Sequence, residues 1–168
     1  MTISMYQASV PVFIRMLNNL IGILEKAAAD AEARKIDPAV LINSRLYPDM
    51  FPLSRQVRIA VDAAAGGAAR LAGMEPPTNE NNETTFPELI ERIRKTIAYL
   101  NTFKPGQIDG SEKRAVTLKV RDDTLTLDGL TFLLNRVLPN FYFHITTTYG
   151  ILRHNGLEIG KKDYLGKF

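Results

Sequence analysis

The sequence predicts an all-α domain, an up-down-down-up four-helix bundle with a small β-hairpin before its last helix. Three observations carry that reading. Four segments repeat apolar residues at alternating spacings of three and four, the period of a helix with one buried face. Two short stretches ahead of the fourth segment alternate apolar and polar residues, the period of a half-buried strand. The connection across residues 73–85 is 13 residues long and spans roughly 40 Å when extended. That exceeds the ~30 Å length of a 20-residue helix, so the chain can return along the bundle and leave the second and third helices parallel. The 168 residues, 45% hydrophobic and 23% charged, fit a single domain over residues 1–168 with a core of its own.

The first helix is expected over residues 6–33, with Val10, Phe13, Leu17, Leu20, Leu24, Ala27 and Ala31 inward. Asp37-Pro38 then caps and starts a short helical turn, and Tyr47-Pro48-Asp49 forms a second turn. The second helix covers residues 51–72 and buries Leu53, Val57, Ala60, Ala64, Gly67 and Leu71. Its small residues permit close approach by a neighbour, and Gly73 supplies the stop. Residues 73–85 read as a polar connection, extended or mobile. Thr85 and Glu88 form a capping box for the third helix, residues 86–103, whose inner face is Phe86, Leu89, Ile90, Ile93, Ile97 and Leu100.

Val116–Val120 and residues 124–127 are the predicted strands, separated by Arg121-Asp122-Asp123. The fourth helix covers residues 128–155 and presents Leu130, Leu133, Leu134, Val137, Leu138, Phe141, Ile145 and Leu152. Pro139 lies inside it, removing one hydrogen bond and bending the helix a turn before His144.

Several function classes fall away on composition. There is no cysteine, which excludes disulfides, thiolate metal sites and cysteine nucleophiles. No apolar run approaches the ~18 residues of a membrane span, and the first residues carry no secretory pattern, so a cytoplasmic location is expected. Net charge is +3, with Lys161, Lys162 and Lys167 as the one compact basic excess. Nucleic-acid binders cluster Lys and Arg among stacking aromatics, and this chain does not. Gly66-Gly67 lies mid-helix without the strand and Lys of a phosphate loop. None of the five serines sits in a nucleophile-elbow setting.

Both histidines lie in FYFHITTTYGILRHNG, residues 141–156. His144 shares the inward face of Leu130 and Val137, and Thr148 that of Leu134 and Phe141. His154 is ten residues beyond His144, about 80° round the helix and ~15 Å along it, too far for the two to share one ion. His144 is expected to be a buried imidazole bonded to a polar group of the second helix, Gln56 or Asp62, with binding or proton transfer as the functional alternative. His154, Asn155 and Gly156 read as a helix end. Arg45, Asp49 and Gln56 fall at the same end of the predicted bundle as Tyr149 and His154, where converging polar groups line a pocket between helices.

The segments RLYPDMFPLSRQV, ARLAG, LPNFYFHITTTYGILRHNG and GKKDYLG, in this order and spacing, resemble a family of small uncharacterised bacterial proteins. It lies within the DinB/YfiT-like metalloenzyme superfamily, and the resemblance covers nearly the whole chain. It implies a DinB-like bundle, often a homodimer, whose relatives bind a divalent metal through one His of the second helix and an HxxxH pair on the fourth. Some are thiol-dependent S-transferases. Only His144 of that set matches here: Thr148 stands at the second place of the pair, and Asp62 is followed by Ala63 rather than a histidine. The expected function is therefore a DinB-like protein without the complete three-histidine site and without a cofactor. It binds a small ligand at the bundle end through His144, Tyr149, Arg45, Gln56, Asp62 and His154. The alternatives are a metal- or thiol-dependent transferase, using His144 with non-histidine ligands to zinc or nickel, and a non-enzymatic dimeric interaction protein.

Overall fold

The computed structural model describes residues 3–120 and 123–167. Four long helices, α1 (Val10–Ala33), α3 (Leu53–Leu71), α4 (Phe86–Leu100) and α7 (Leu138–His154), share one hydrophobic core. Short helices α2 (Pro38–Asn43), α5 (Pro105–Ile108), α6 (Gly129–Thr131) and α8 (Lys161–Leu165) join or flank them. Strands β1 (Ala115–Val120) and β2 (Asp123–Asp128) pair antiparallel ahead of α6. Val116 faces Leu127 in that register, and Thr117 Oγ1 lies 3.1 Å from Thr126 Oγ1. Of the predicted hairpin turn, Arg121 and Asp122 lie outside the described residues.

The expected inner faces of α1 and α3 are buried residue for residue. Asp37 Oδ1 accepts from the Ala39 N–H at 2.9 Å, and the Met50 N–H closes the Tyr47 turn at 3.0 Å. Thr85 and Glu88 form the reciprocal capping box. Gly73, at φ +74°, ends α3 in a left-handed cap: its N–H reaches the Arg70 carbonyl and the Met74 N–H the Ala69 carbonyl. α8 lies outside the expected elements. It docks across α1 through Asn19 Nδ2 to the Tyr164 carbonyl (2.9 Å) and Lys26 Nζ to Asp163 Oδ1 (2.5 Å).

One expectation needs correction. The predicted fourth helix is interrupted, because Phe132–Val137 wind as a π-helix immediately before Pro139. Proline has no N–H and its ring crowds the carbonyl four residues back; the wider winding accommodates both. A π turn holds more residues than an α turn, so residues before it lose phase with those after it. Leu130 (43% exposed) and Leu134 (47%) consequently face outward, while Leu133 is buried as expected and Phe132 fills the core beside it.

The connection over residues 73–85 is extended, the first of its two expected forms, and is tied to the helices by side-chain contacts. Glu83 Oε1 accepts from Arg92 Nη1 of α4 at 2.7 Å, and its Oε2 lies 2.9 Å from Arg58 Nε of α3. Arg92 Nη2 also reaches Asp62 Oδ1 at 2.7 Å, and Asn79 Nδ2 donates to the same oxygen at 3.0 Å. Arg92 is 5% exposed, and a guanidinium at that depth requires compensating carboxylates. Burial pushes the Glu83 carboxyl upward, but the hydrogen bond and charge of Arg92, with the charge of Arg58, hold it below its ordinary value.

α3 and α7 form the most extensive helix pairing. A Cβ at Gly67 would lie 2.7 Å from Val137 Cγ1, so the π-helical turn meets α3 where only a hydrogen side chain fits. Gly67→Ala is therefore expected to destabilise the fold by about 1–3 kcal/mol, the usual effect of overpacking. Gly22 of α1 has open space at its Cβ position, and Gly22→Ala is expected to stabilise by roughly 0.5–1 kcal/mol. Urea denaturation of both variants checks the pair; equal stability of Gly67→Ala and wild type refutes the close approach. Glu83→Ala is expected to destabilise by about 3 kcal/mol, the low end for breaking a buried pair, since Asp62 still holds Arg92. A change within error in the same assay shows that the network does not anchor the loop.

Candidate functional site

The segment before α3 builds one side of the site. Pro52 precedes the helix in an extended conformation and leaves the Phe51 carbonyl turned toward the first turn. Gln56 Nε2 donates to that carbonyl at 3.0 Å. Only the amide nitrogen can donate there, so Oε1 is directed at α7. His144 Nδ1 lies 2.6 Å from Gln56 Oε1. The carboxamide oxygen only accepts, so Nδ1 carries the hydrogen and the neutral ring keeps its lone pair on Nε2.

Burial lowers the His144 pKa from its ordinary 6.5, because a desolvated imidazolium loses more hydration than it regains. Gln56 is 2% and His144 7% exposed. Among the described residues Nε2 has no hydrogen-bond partner. The Phe143 ring stands edge-on to the imidazole at 5.2 Å, and both Phe143 and Phe51 are exposed. The uncharged acceptor thus lies beside the exposed Phe143 ring, while the Phe51 ring is stacked under the Arg55 guanidinium at 3.7 Å. Thr148, one turn on, spends its hydroxyl on the His144 carbonyl at 2.9 Å, a back-bond typical of threonine in a helix.

Of the other expected site residues, the structure gathers none with His144. Asp62 is not its partner: it pairs with Arg92 and Asn79 on the side of α3 facing the 73–85 connection. Tyr149 packs edge-on to Tyr164 at 6.2 Å and its hydroxyl approaches the Ile159 carbonyl at 3.4 Å. Arg45 donates to the Met50 carbonyl at 2.6 Å, closing its own loop. His154 is the exposed last residue of α7. There the Gly156 N–H bonds the Arg153 carbonyl and the Leu157 N–H the Leu152 carbonyl, a Schellman ending.

The residues present do not fit the metal centre that the superfamily implies. A metal-bound histidine needs a free ring nitrogen and companion donors. His144 keeps a free Nε2, but it lacks companions: the neighbouring Gln56 carboxamide and Thr148 hydroxyl are already hydrogen-bonded. Among the described residues no group of three His, Cys, Asp or Glu side chains is placed to hold an ion.

Sequence reasoning missed the Arg58–Glu83–Arg92 network. One signal was present: Arg92 falls between Leu89, Ile93 and Thr96 on the inner stripe of α4, and a charge in an apolar stripe demands a partner.

A helical core with a small hairpin inserted before its last long helix is the architecture expected of a DinB-like protein. Residues 5–165 match the family model described as a domain of unknown function, DUF1993. The chain belongs to that family. Its structure is similar to the crystal structure of a DinB family member protein from Shewanella denitrificans. The two share 44% sequence identity at a TM-score of 0.88, over 97% of this chain and 92% of that one. Comparison with curated proteins finds no match. Among the described residues no helix is long and apolar enough to cross a membrane.

The lowered His144 pKa carries a stability consequence. A histidine whose folded pKa is depressed contributes stability that is fully present above the unfolded-state value near 6.5 and lost as pH falls through the folded value. Between about pH 7.5 and pH 5 the wild type is expected to lose more unfolding free energy than His144→Gln. Urea titrations at both ends of that range decide it; parallel losses in the two proteins remove His144 as the cause.

Proposed function

We propose that this protein is a DinB-type up-down-down-up four-helix bundle that works without a three-ligand metal centre and binds a small molecule where Gln56 and His144 meet. One observation carries the binding reading: Gln56, oriented by the Phe51 carbonyl, leaves a neutral His144 with its Nε2 lone pair available. The matching ligand is a small, largely apolar molecule that donates one hydrogen bond, its apolar part resting on Phe51 and Phe143. Arg45 and Tyr149 are turned to backbone carbonyls elsewhere, and His154 lies exposed at the end of α7, so the site is built without them.

Two pairs of contacts support the topology. Gly67 lies against Val137 while the earlier Gln56 meets the later His144, as in antiparallel helices. Tyr6 N–H reaches Asp109 Oδ1 at 2.8 Å, and Glu25 pairs with Arg94 at 3.2 Å, the order expected of α4 antiparallel to α1. A homodimer is favoured by Leu130 and Leu134, one turn apart and both exposed.

A second reading, S-transfer with a thiol cosubstrate, is supported by the same acceptor. Nε2 would take the thiol proton, the thiolate would attack the electrophilic substrate, and the leaving group would depart with its electron pair.

Metal analysis of untagged protein tests the first reading. Substoichiometric zinc and nickel are expected, unchanged in His144→Ala. A full equivalent that disappears in that variant overturns it. For the dimer, light scattering is expected to give twice the chain mass for wild type and one chain mass for Leu134→Lys. A monomeric wild type at micromolar concentration removes the homodimer.

A further inference from the structure

The basic side chains that the fold brings around Arg70 form a second feature, independent of His144. A cavity of about 210 Å³ opens between α3, β1 and the π-helical turn. Arg70, Lys119 and Arg136 line it with the amide of Asn140, over apolar walls that include Phe132 and Val137. No carboxylate lines this cavity among the described residues. Two adjoining clefts, of about 570 and 480 Å³, also border Arg70. The first adds Arg114 and Glu75, and the second Asp62, whose carboxylate is already engaged by Arg92 and Asn79.

The cations reach this place by different routes. Arg70 stands in the last turn of α3 and donates one bond, from Nη1 to the Gly66 carbonyl at 3.2 Å. Arg114 is spent on the Leu71 carbonyl, at the negative end of the same helix. Lys119 comes from β1 and Arg136 from the π-helical turn, and both are exposed. Among the described residues no ion pair joins Arg70, Lys119 or Arg136 to an acid. Burial pulls the Arg70 pKa down against the charge of Glu75, so its charge is held partly desolvated. An anion placed there would relieve that desolvation and the mutual repulsion of the three cations.

We propose that this cavity binds the oxyanion head of a small organic anion, with Arg70, Lys119 and Arg136 as its charge partners and Asn140 as a neutral donor. Guanidinium groups match the planar carboxylate and the phosphate in two-point contacts. The apolar walls accept a short hydrocarbon or aromatic body. The volume is below the roughly 300–1,000 Å³ of pockets that hold drug-sized ligands, which limits the ligand to a few carbon atoms beyond its head.

Calorimetric titration of the full chain with benzoate, phenyl phosphate and neutral benzamide tests the proposal. At least one of the two anions is expected to bind, more weakly as salt is raised, and benzamide is expected to give no heat. Tighter phenyl phosphate identifies a phosphomonoester as the ligand class, tighter benzoate a carboxylic acid. Arg136→Gln and Lys119→Gln replace exposed side chains, and each is expected to weaken binding by about tenfold, ~1.4 kcal/mol. His144→Ala is expected to bind the anion as wild type does, which separates this site from the Gln56–His144 site. Absence of heat with both anions, equal binding of benzamide, or unchanged affinity in both glutamine variants overturns the proposal.

Discussion

The close approach of α3 to the π-helical turn and α7 is the contact on which the rest of the structure depends. It exists because α3 presents Ala60, Ala64 and Gly67 where its neighbour crosses, with Val137 occupying the space a side chain at Gly67 would need. Dispersion contacts fall off within an ångström of the optimum, so this seam fixes the separation of the two helices closely. Gln56 and His144, on the same two helices, then meet at 2.6 Å. The polar contact is a consequence of the apolar one: a slightly wider seam would leave both buried groups unpaired, at about 1–3 kcal/mol for each lost partner.

Pro139 acts on the same seam from the start of α7. By forcing the preceding turn into π geometry, it rotates residues 129–134 relative to α7. Leu130 and Leu134 turn outward, and Lys119 and Arg136 come to border one cavity with Arg70. One backbone adjustment therefore exposes an apolar pair and completes a basic cleft. π turns often mark functional positions in helices for this reason: they re-aim side chains without ending the element.

The buried imidazole is held by a neutral partner rather than by a charged one. Gln56 holds the Nδ1 side of the imidazole and Thr148 is spent on the backbone, so among the described residues only Nε2 of the ring is left without a protein partner. This arrangement keeps the imidazole neutral and its tautomer defined, the state suited to accepting a hydrogen bond or a proton.

The helix faces of α1, α3 and α4, the caps at Asp37, Thr85 and Gly73, the hairpin strands and the inward position of His144 were all legible in the sequence. Each depends on neighbours within a few residues, where spacing and capping chemistry act directly. The outward turn of Leu130 and Leu134 was not legible, because a uniform 3.6-residue period assumes an uninterrupted helix and a π turn precedes Pro139 instead. Nor was the anchoring of residues 73–85, which depends on Glu83 meeting Arg58 and Arg92 from two other helices. The site divides in the same way. Sequence alone determined that His144 faces inward and needs a partner, and it offered Gln56 and Asp62 equally. Tertiary structure chose Gln56, because the seam brings the first turn of α3 to α7 while Asp62 points along α3 toward Arg92. Helical spacing specifies which way a side chain points; only packing between helices specifies what it meets.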